Sequence, residues 1–129
     1  MQVHEVARTR SMMRRARRSE RRDEKILLVV EAVVAASLRL PVARLHADSR
    51  SHAPVAFARQ VAMYIAHVCL KLPVSDVGRH FGRDRTTVSH ACEVIEDRRE
   101  NLDVDRFLSS IETTVDVWLD FQRWLGSAQ

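Results

Sequence analysis

The chain has 129 residues, a size suited to one compact domain with tails, and 46% of them are apolar. With three glycines, three prolines and 5% aromatics, it has little turn chemistry for a strand-rich fold, and its core must come from Val, Leu, Ile and Ala in helices. The net charge of +4 is uneven: residues 1–25 hold nine basic side chains against four acidic ones, while the whole chain has 21 against 17. The positive excess is thus an N-terminal arm, which suits nucleic acid or another anionic surface.

Residues 1–24 lack apolar periodicity beyond Met12 and Met13. They are expected to be a basic arm, either disordered or a helix grown from the next element. Residues 25–39 read as the first core helix, with Leu27, Val30, Val34 and Leu38 at helical spacing and Pro41 as its stop. A basic arm before an apolar run mimics a signal peptide, but Glu31 interrupts the run and the stretch is too short for a membrane span. Residues 42–45 form a short turn in which Val42 and Leu45 should pack back as a pair. The polar residues 46–54 read as a surface loop.

Residues 55–71 give the clearest helix. Phe57, Val61, Tyr64, Ile65, Val68 and Leu72 share one face, Arg59, Met63 and His67 line another, and Pro73 ends it. A short helix over 75–81 is expected to be capped by Ser75, with Val77 and Phe81 inward. Gly82 then supplies a permissive turn position. Asp84 can cap the following helix through the Thr87 amide, and that helix runs to about residue 100. After a break at 101–105, a last helix spans 104–125, where Val104, Leu108, Ile111, Val115, Trp118, Gln122 and Leu125 alternate four and three apart. The expected fold is all-α, with about six helices including an extended C-terminal one. Its domain plan is an arm over 1–24, a core domain over 25–115 and a helical extension over 116–129.

Two short helices around one glycine are the signature of a helix-turn-helix, whose second helix enters the major groove with its first turn at the base edges. If Val88 faces inward, steps of 100° turn Cys92 and Ile95 inward and Thr86 and His90 outward, with Arg83 and Arg85 at the tip. Arg85 suits a bidentate pair with guanine, and a Thr86 or Thr87 methyl suits thymine. Arg59 is spaced to meet a phosphate, and His67 lies on its face. The competing reading is that Asp84 and Thr87 only cap a helix whose arginines are solvated.

Phe57-Ala58-Arg59-Gln60-Val61-Ala62-Met63-Tyr64, Asp76-Val77-Gly78, Phe81, Arg83-Asp84-Arg85-Thr86-Thr87-Val88-Ser89-His90-Ala91-Cys92 and Ile95-Glu96 together resemble the C-terminal DNA-binding domain (domain IV) of the bacterial replication initiator DnaA. The resemblance covers about residues 26–115, as a stand-alone version of that domain. It implies a Trp-repressor-like helix-turn-helix that binds double-stranded DNA. It also implies major-groove contacts from Asp84, Arg85 and Thr86, phosphate contacts from Arg59, Gln60, Thr87 and His90, and a basic loop in the minor groove. Arg83 joins the base-reading group by its place at the tip, and Arg50 and His67 join the phosphate and minor-groove group.

The chain departs from the family at several points. Arg85 stands where the family usually has His, and Gly82 stands alone where it has two glycines. The 46–54 loop offers only Arg50 and His52 where the family is richly basic, and Glu93 follows one turn after His90. These changes point to an altered target sequence. No G-x-x-x-x-G-K-[ST] motif occurs, so no nucleotide or ATPase chemistry is expected.

Other chemistry finds little support. His67-x-Cys69 and His90-x-Cys92 are two apart on helices and point to different faces, so no metal or other cofactor is expected. Two cysteines make no disulfide framework and are expected as buried free thiols of a cytoplasmic, non-enzymatic protein. Trp118, Phe121 and Trp124 widen the last helix's apolar surface. They either pack on the domain, against residues 26–38, or form a homodimer or partner surface. The leading function is a DNA-binding transcription or replication regulator. The alternative is a protein-interaction module that has lost specific DNA readout.

Overall fold

The computed structural model describes residues 2–47 and 52–128. Among them are five α-helices, a 3-10 helix and a π turn, with no strand. The helices are α1 (Gln2–Ser37), α2 (Ala53–Tyr64), α3 (Val74–Phe81), α4 (Arg85–Arg98) and α5 (Leu102–Ala128). The 3-10 helix is Val42–His46, and the π turn, Ile65–Cys69, extends α2. The all-helical fold is thus the one the composition indicates.

Over residues 2–24 the basic arm is a helix continuous with the first core helix, not a disordered segment. Nothing in that stretch breaks it: the first 40 residues contain neither Gly nor Pro and are rich in Arg, Glu and Ala, which lose little in a helix. Only its C-terminal third is anchored, through Ile26, Leu27, Val30, Val34 and Ala35. At 36 residues and 1.5 Å per residue α1 is roughly 54 Å long, so the arm outruns the core.

α2 runs through the centre and packs chiefly on α4 and α1, while α3 packs on α4 and α5 lies along α1 and the π turn. Val61, Ala62, Met63, Tyr64, Ile65 and Ala66 are all buried, so α2 is surrounded rather than amphipathic. Met63 therefore belongs to the core, and the expected Arg59–Met63–His67 face is not a solvent face at its middle.

Several local expectations need correction. The helix expected over 55–71 is widened into a π turn at 65–69, with the Leu70 amide bonded to the Ile65 carbonyl. Lys71 then takes a left-handed φ of 63° ahead of Pro73, which cannot continue a helix. Ser75 does not cap α3. The Pro73 carbonyl starts that helix by accepting from the Asp76 and Val77 amides, which places Ser75 already inside it. Val42 remains 41% exposed while Leu45 is buried, so the two do not pack as a pair. Asn101, read as part of a break, caps α5: its Oδ1 accepts from the amides of Asp103 and Val104.

Candidate nucleic-acid interface

The interface is built around the turn between α3 and α4. Val77 and Phe81 bury one side of α3. Gly82 closes the helix in the left-handed region at φ 63°, as its position in the sequence indicates. Gly78 answers a different need. A Cβ on it would lie 2.6 Å from the Arg83 carbonyl oxygen, and the Arg83 amide bonds the Gly78 carbonyl at 2.8 Å. The second helix can double back this tightly only over a bare backbone.

Asp84 begins α4 with an extended backbone, and its Oδ1 accepts from the Thr87 amide at 2.8 Å and the Thr86 hydroxyl at 2.7 Å. Those bonds hold the Asp84 carboxyl below its ordinary pKa, the Thr86 hydroxyl having the larger effect. Behind the tip, Val88, Ala91, Cys92 and Ile95 are buried. In front of it, Arg85, Thr86, Thr87, Ser89, His90 and Glu93 are exposed. Arg85 and His90 have no hydrogen-bond or ion-pair partner among the described residues. A helix anchored by its buried face thus presents a cation, three hydroxyls and an imidazole from its N-terminal half.

The remaining predicted contact residues are deployed differently. Arg59 donates from Nε to the Leu45 carbonyl at 2.7 Å and from Nη2 to the Ala47 carbonyl at 3.1 Å. Arg83 donates from Nη2 to that same Ala47 carbonyl at 2.9 Å and from Nη1 to the Phe81 carbonyl at 3.2 Å. The two arginines therefore clamp the end of the 3-10 helix to the turn. Burial, and then the neighbouring Arg83 charge, lowers the Arg59 pKa. Gln60 is half-buried beside Arg59. His67 donates from Nδ1 to the Leu72 carbonyl at 2.8 Å, where it helps close the π turn. Arg50 lies outside the described residues.

Two side-chain clusters escape a reading by motif. Arg99 donates to Asp105 (2.7 Å), Glu112 (2.6 Å), the Tyr64 hydroxyl (3.2 Å) and Ser109 (3.2 Å), joining α2 and α5 at the end of α4. Tyr64 in turn donates to Glu96 at 2.5 Å, and burial together with that carboxylate pushes its pKa up to about 12. The second cluster is Glu31, His46 and His80. Glu31 is 1% exposed, and both imidazoles donate from Nε2 to its Oε1. One signal for it was visible: Glu31 lies within the buried stripe of Leu27, Val30 and Val34.

Cys92 is buried and Cys69 half-buried. Burial pushes their thiols up to about 11 and about 12, with nearby Glu112 adding to the effect at Cys69, so neither supplies a thiolate near neutral pH. On α5, Trp118 and Leu119 pack against the core, while Phe121 and Trp124 stack on each other at 5.9 Å and stay 51% and 62% exposed. No helix among the described residues is long and apolar enough to cross a membrane.

Comparison with known proteins agrees with this geometry. Residues 28–95, more than half of the chain, match the family model described as the bacterial dnaA protein helix-turn-helix. The chain belongs to this family. It is 34% identical over 70 residues to the chromosomal replication initiator protein DnaA of Lachnoclostridium phytofermentans, and 36% identical over 73 residues to that of Laribacter hongkongensis. These matches take in 54% and 56% of the chain but only 15% of each initiator.

Among solved structures, a DNA replication initiation factor superposes with a TM-score of 0.72 at 23% identity, over 88% of this chain and 36% of that one. The replication initiator DnaA bound to AMPPCP and single-stranded DNA superposes with a TM-score of 0.64 at 24% identity, over 77% and 31%. The shared part is the family's DNA-binding helix-turn-helix. Membership favours DNA binding over a pure protein-interaction module.

Proposed function

We propose that the chain binds double-stranded DNA at specific sequences and acts as a transcription or replication regulator in the bacterial cytoplasm, with the first turn of α4 in the major groove. The observation that carries this reading is the exposed Arg85, without a side-chain partner among the described residues, beside Thr86 and Asp84 on a helix whose opposite face is locked in the core. Arg85 is assigned to a guanine edge, and Asp84 and Thr86 to neighbouring base edges. Gln60, Thr87 and His90 are assigned to phosphates, and Arg50 to the minor-groove side. Arg59 and Arg83 act mainly by holding the turn, because their donors already meet backbone carbonyls. The arginines of the arm add attraction that does not depend on sequence.

Arg85 in place of the family's usual His, and exposed Glu93 beyond His90, direct the protein to a target other than the initiators' own. Selection of bound sequences from random duplexes tests this reading. A single preferred sequence should emerge, and Arg85→Ala and Thr86→Ala should each weaken its binding by about 1–3 kcal/mol while barely changing affinity for random DNA. If both variants bind the selected sequence as tightly as the wild type, the recognition assignment is wrong. A steep salt dependence with no preferred sequence would leave only the arm at work.

A further inference from the structure

Behind the α4 tip, Glu31 of α1, His46 of the 3-10 helix and His80 of α3 converge on one point, although 15 and 49 residues separate Glu31 from its partners. Their nearest donor atoms all lie within 4.8 Å of one another. Glu31 is nearly fully buried, and its Oε2 makes no hydrogen bond among the described residues. Both histidines crowd the other oxygen, His46 at 2.8 Å. A buried carboxylate is ordinarily satisfied at both oxygens, so two donors on one and none on the other is an incomplete arrangement.

We propose that Glu31, His46 and His80 form a binding site for a divalent transition-metal ion of the zinc type, which would pin the 3-10 helix and α3 to α1. Two imidazoles and one carboxylate are a donor set that zinc accepts, whereas calcium and magnesium call for oxygen donors throughout. Zinc–ligand bonds of about 2.0–2.2 Å place tetrahedral ligand atoms about 3.3–3.6 Å apart. Reaching that spacing requires both imidazoles to draw back from the Glu31 carboxylate, His46 through its exposed edge and His80 by a shift of its side chain.

Binding requires each Nε2 to give up its proton, either to solvent or by a tautomer in which Nδ1 carries it. The carboxylate can then bind through either oxygen, including the one now unpaired. The exposed edge of His46 provides the entry path and room for a water as fourth ligand. Phe81 orients both rings: His46 stacks on it with centroids 5.3 Å apart, and His80 meets it edge-on at 5.1 Å. The site is separate from the exposed face of α4, and its test needs no DNA.

Tag-free protein, stripped with a chelator, is titrated with Zn²⁺ in competition with a chromophoric chelator. Thermal unfolding is followed with and without Zn²⁺. One ion per chain should bind, and Zn²⁺ should raise the Tm of the wild type. His46→Gln and His80→Gln should each lower the affinity at least about tenfold and remove the Zn²⁺-dependent rise in Tm. Glu31→Gln should do the same. Should its buried amide prevent folding, His46→Gln at the exposed edge still decides. The proposal is overturned if the wild type binds no Zn²⁺, or if His46→Gln binds it as tightly as the wild type, which would put the ion on ligands outside this cluster.

Discussion

Two sets of arginines in the molecule contrast sharply. Arg59, Arg83 and Arg99 have their guanidinium groups tied to backbone carbonyls or carboxylates, and all three are at least half-buried. Arg85 and the arginines of the arm are exposed, and Arg85 has no partner among the described residues. Sequence position separates Arg83 from Arg85 by only two residues, yet one is part of the scaffold and the other faces outward. A count of cations around the turn between α3 and α4 therefore overstates how many of them are exposed. The distinguishing measurement is whether a substitution moves stability, DNA affinity or both.

The largest effect is expected at Arg99. Arg99→Ala removes donors from Asp105, Glu112 and Tyr64 together and leaves half-buried acceptors unpaired. Urea unfolding should show a loss of about 2–4 kcal/mol, with the DNA affinity of the molecules that remain folded unchanged. Gly78→Ala should come next, at about 1–3 kcal/mol, because its methyl group would meet the Arg83 carbonyl at 2.6 Å and the contact is with backbone rather than a movable side chain. Unlike Arg99→Ala, it shifts the turn itself, so sequence discrimination should fall along with stability. An unchanged Tm for Gly78→Ala would mean that the two helices are less tightly apposed than the structure has them.

The direct test of the two groups is the pair Arg83→Ala and Arg85→Ala. Arg83→Ala should cost about 1 kcal/mol of stability, since it removes one of the two bonds to the Ala47 carbonyl and the one to the Phe81 carbonyl. Arg85→Ala should leave the Tm within error and change only DNA binding. If Arg83→Ala instead weakens specific binding as much as Arg85→Ala without changing stability, its carbonyl contacts are exchanged for base contacts on DNA, and the division between clamp and reader fails.

The legible parts of this molecule were those written in local spacing. The inward set Val88, Cys92 and Ile95, the left-handed Gly82 and the Asp84–Thr87 cap all involve residues within a few positions of one another, and the structure has each of them. The resemblance through residues 83–92 led to the family in which the chain is found. What stayed hidden was contact at a distance. Ala47 accepts from arginines 12 and 36 residues away, and Glu31 from histidines 15 and 49 away. No periodicity carries such information. Ser75 is a capping residue type two positions too late, because Pro73 already starts the helix. Asn101 reads equally well as a cap or as part of a break, since its polar side chain is common in both.

The smallest expected effect belongs to Asp84, where scaffold and reader meet in one side chain. Its carboxyl titrates below the ordinary 3.8 because the Thr86 hydroxyl and then the Thr87 amide bond its charged form. A carboxyl depressed by folding contributes stability that is fully present above the unfolded value and is lost as pH falls through the folded one. The wild type should therefore show an extra decline in Tm below pH 3.8 that Asp84→Asn lacks, because an amide caps the helix without titrating. Near neutral pH the two proteins should differ little in Tm. Their DNA preferences should nevertheless differ, since Asn offers a base edge both a donor and an acceptor where Asp offers acceptors only. An identical acid decline in both proteins would mean that the cap bond is not made in solution, and would free Asp84 to be read as a base contact alone.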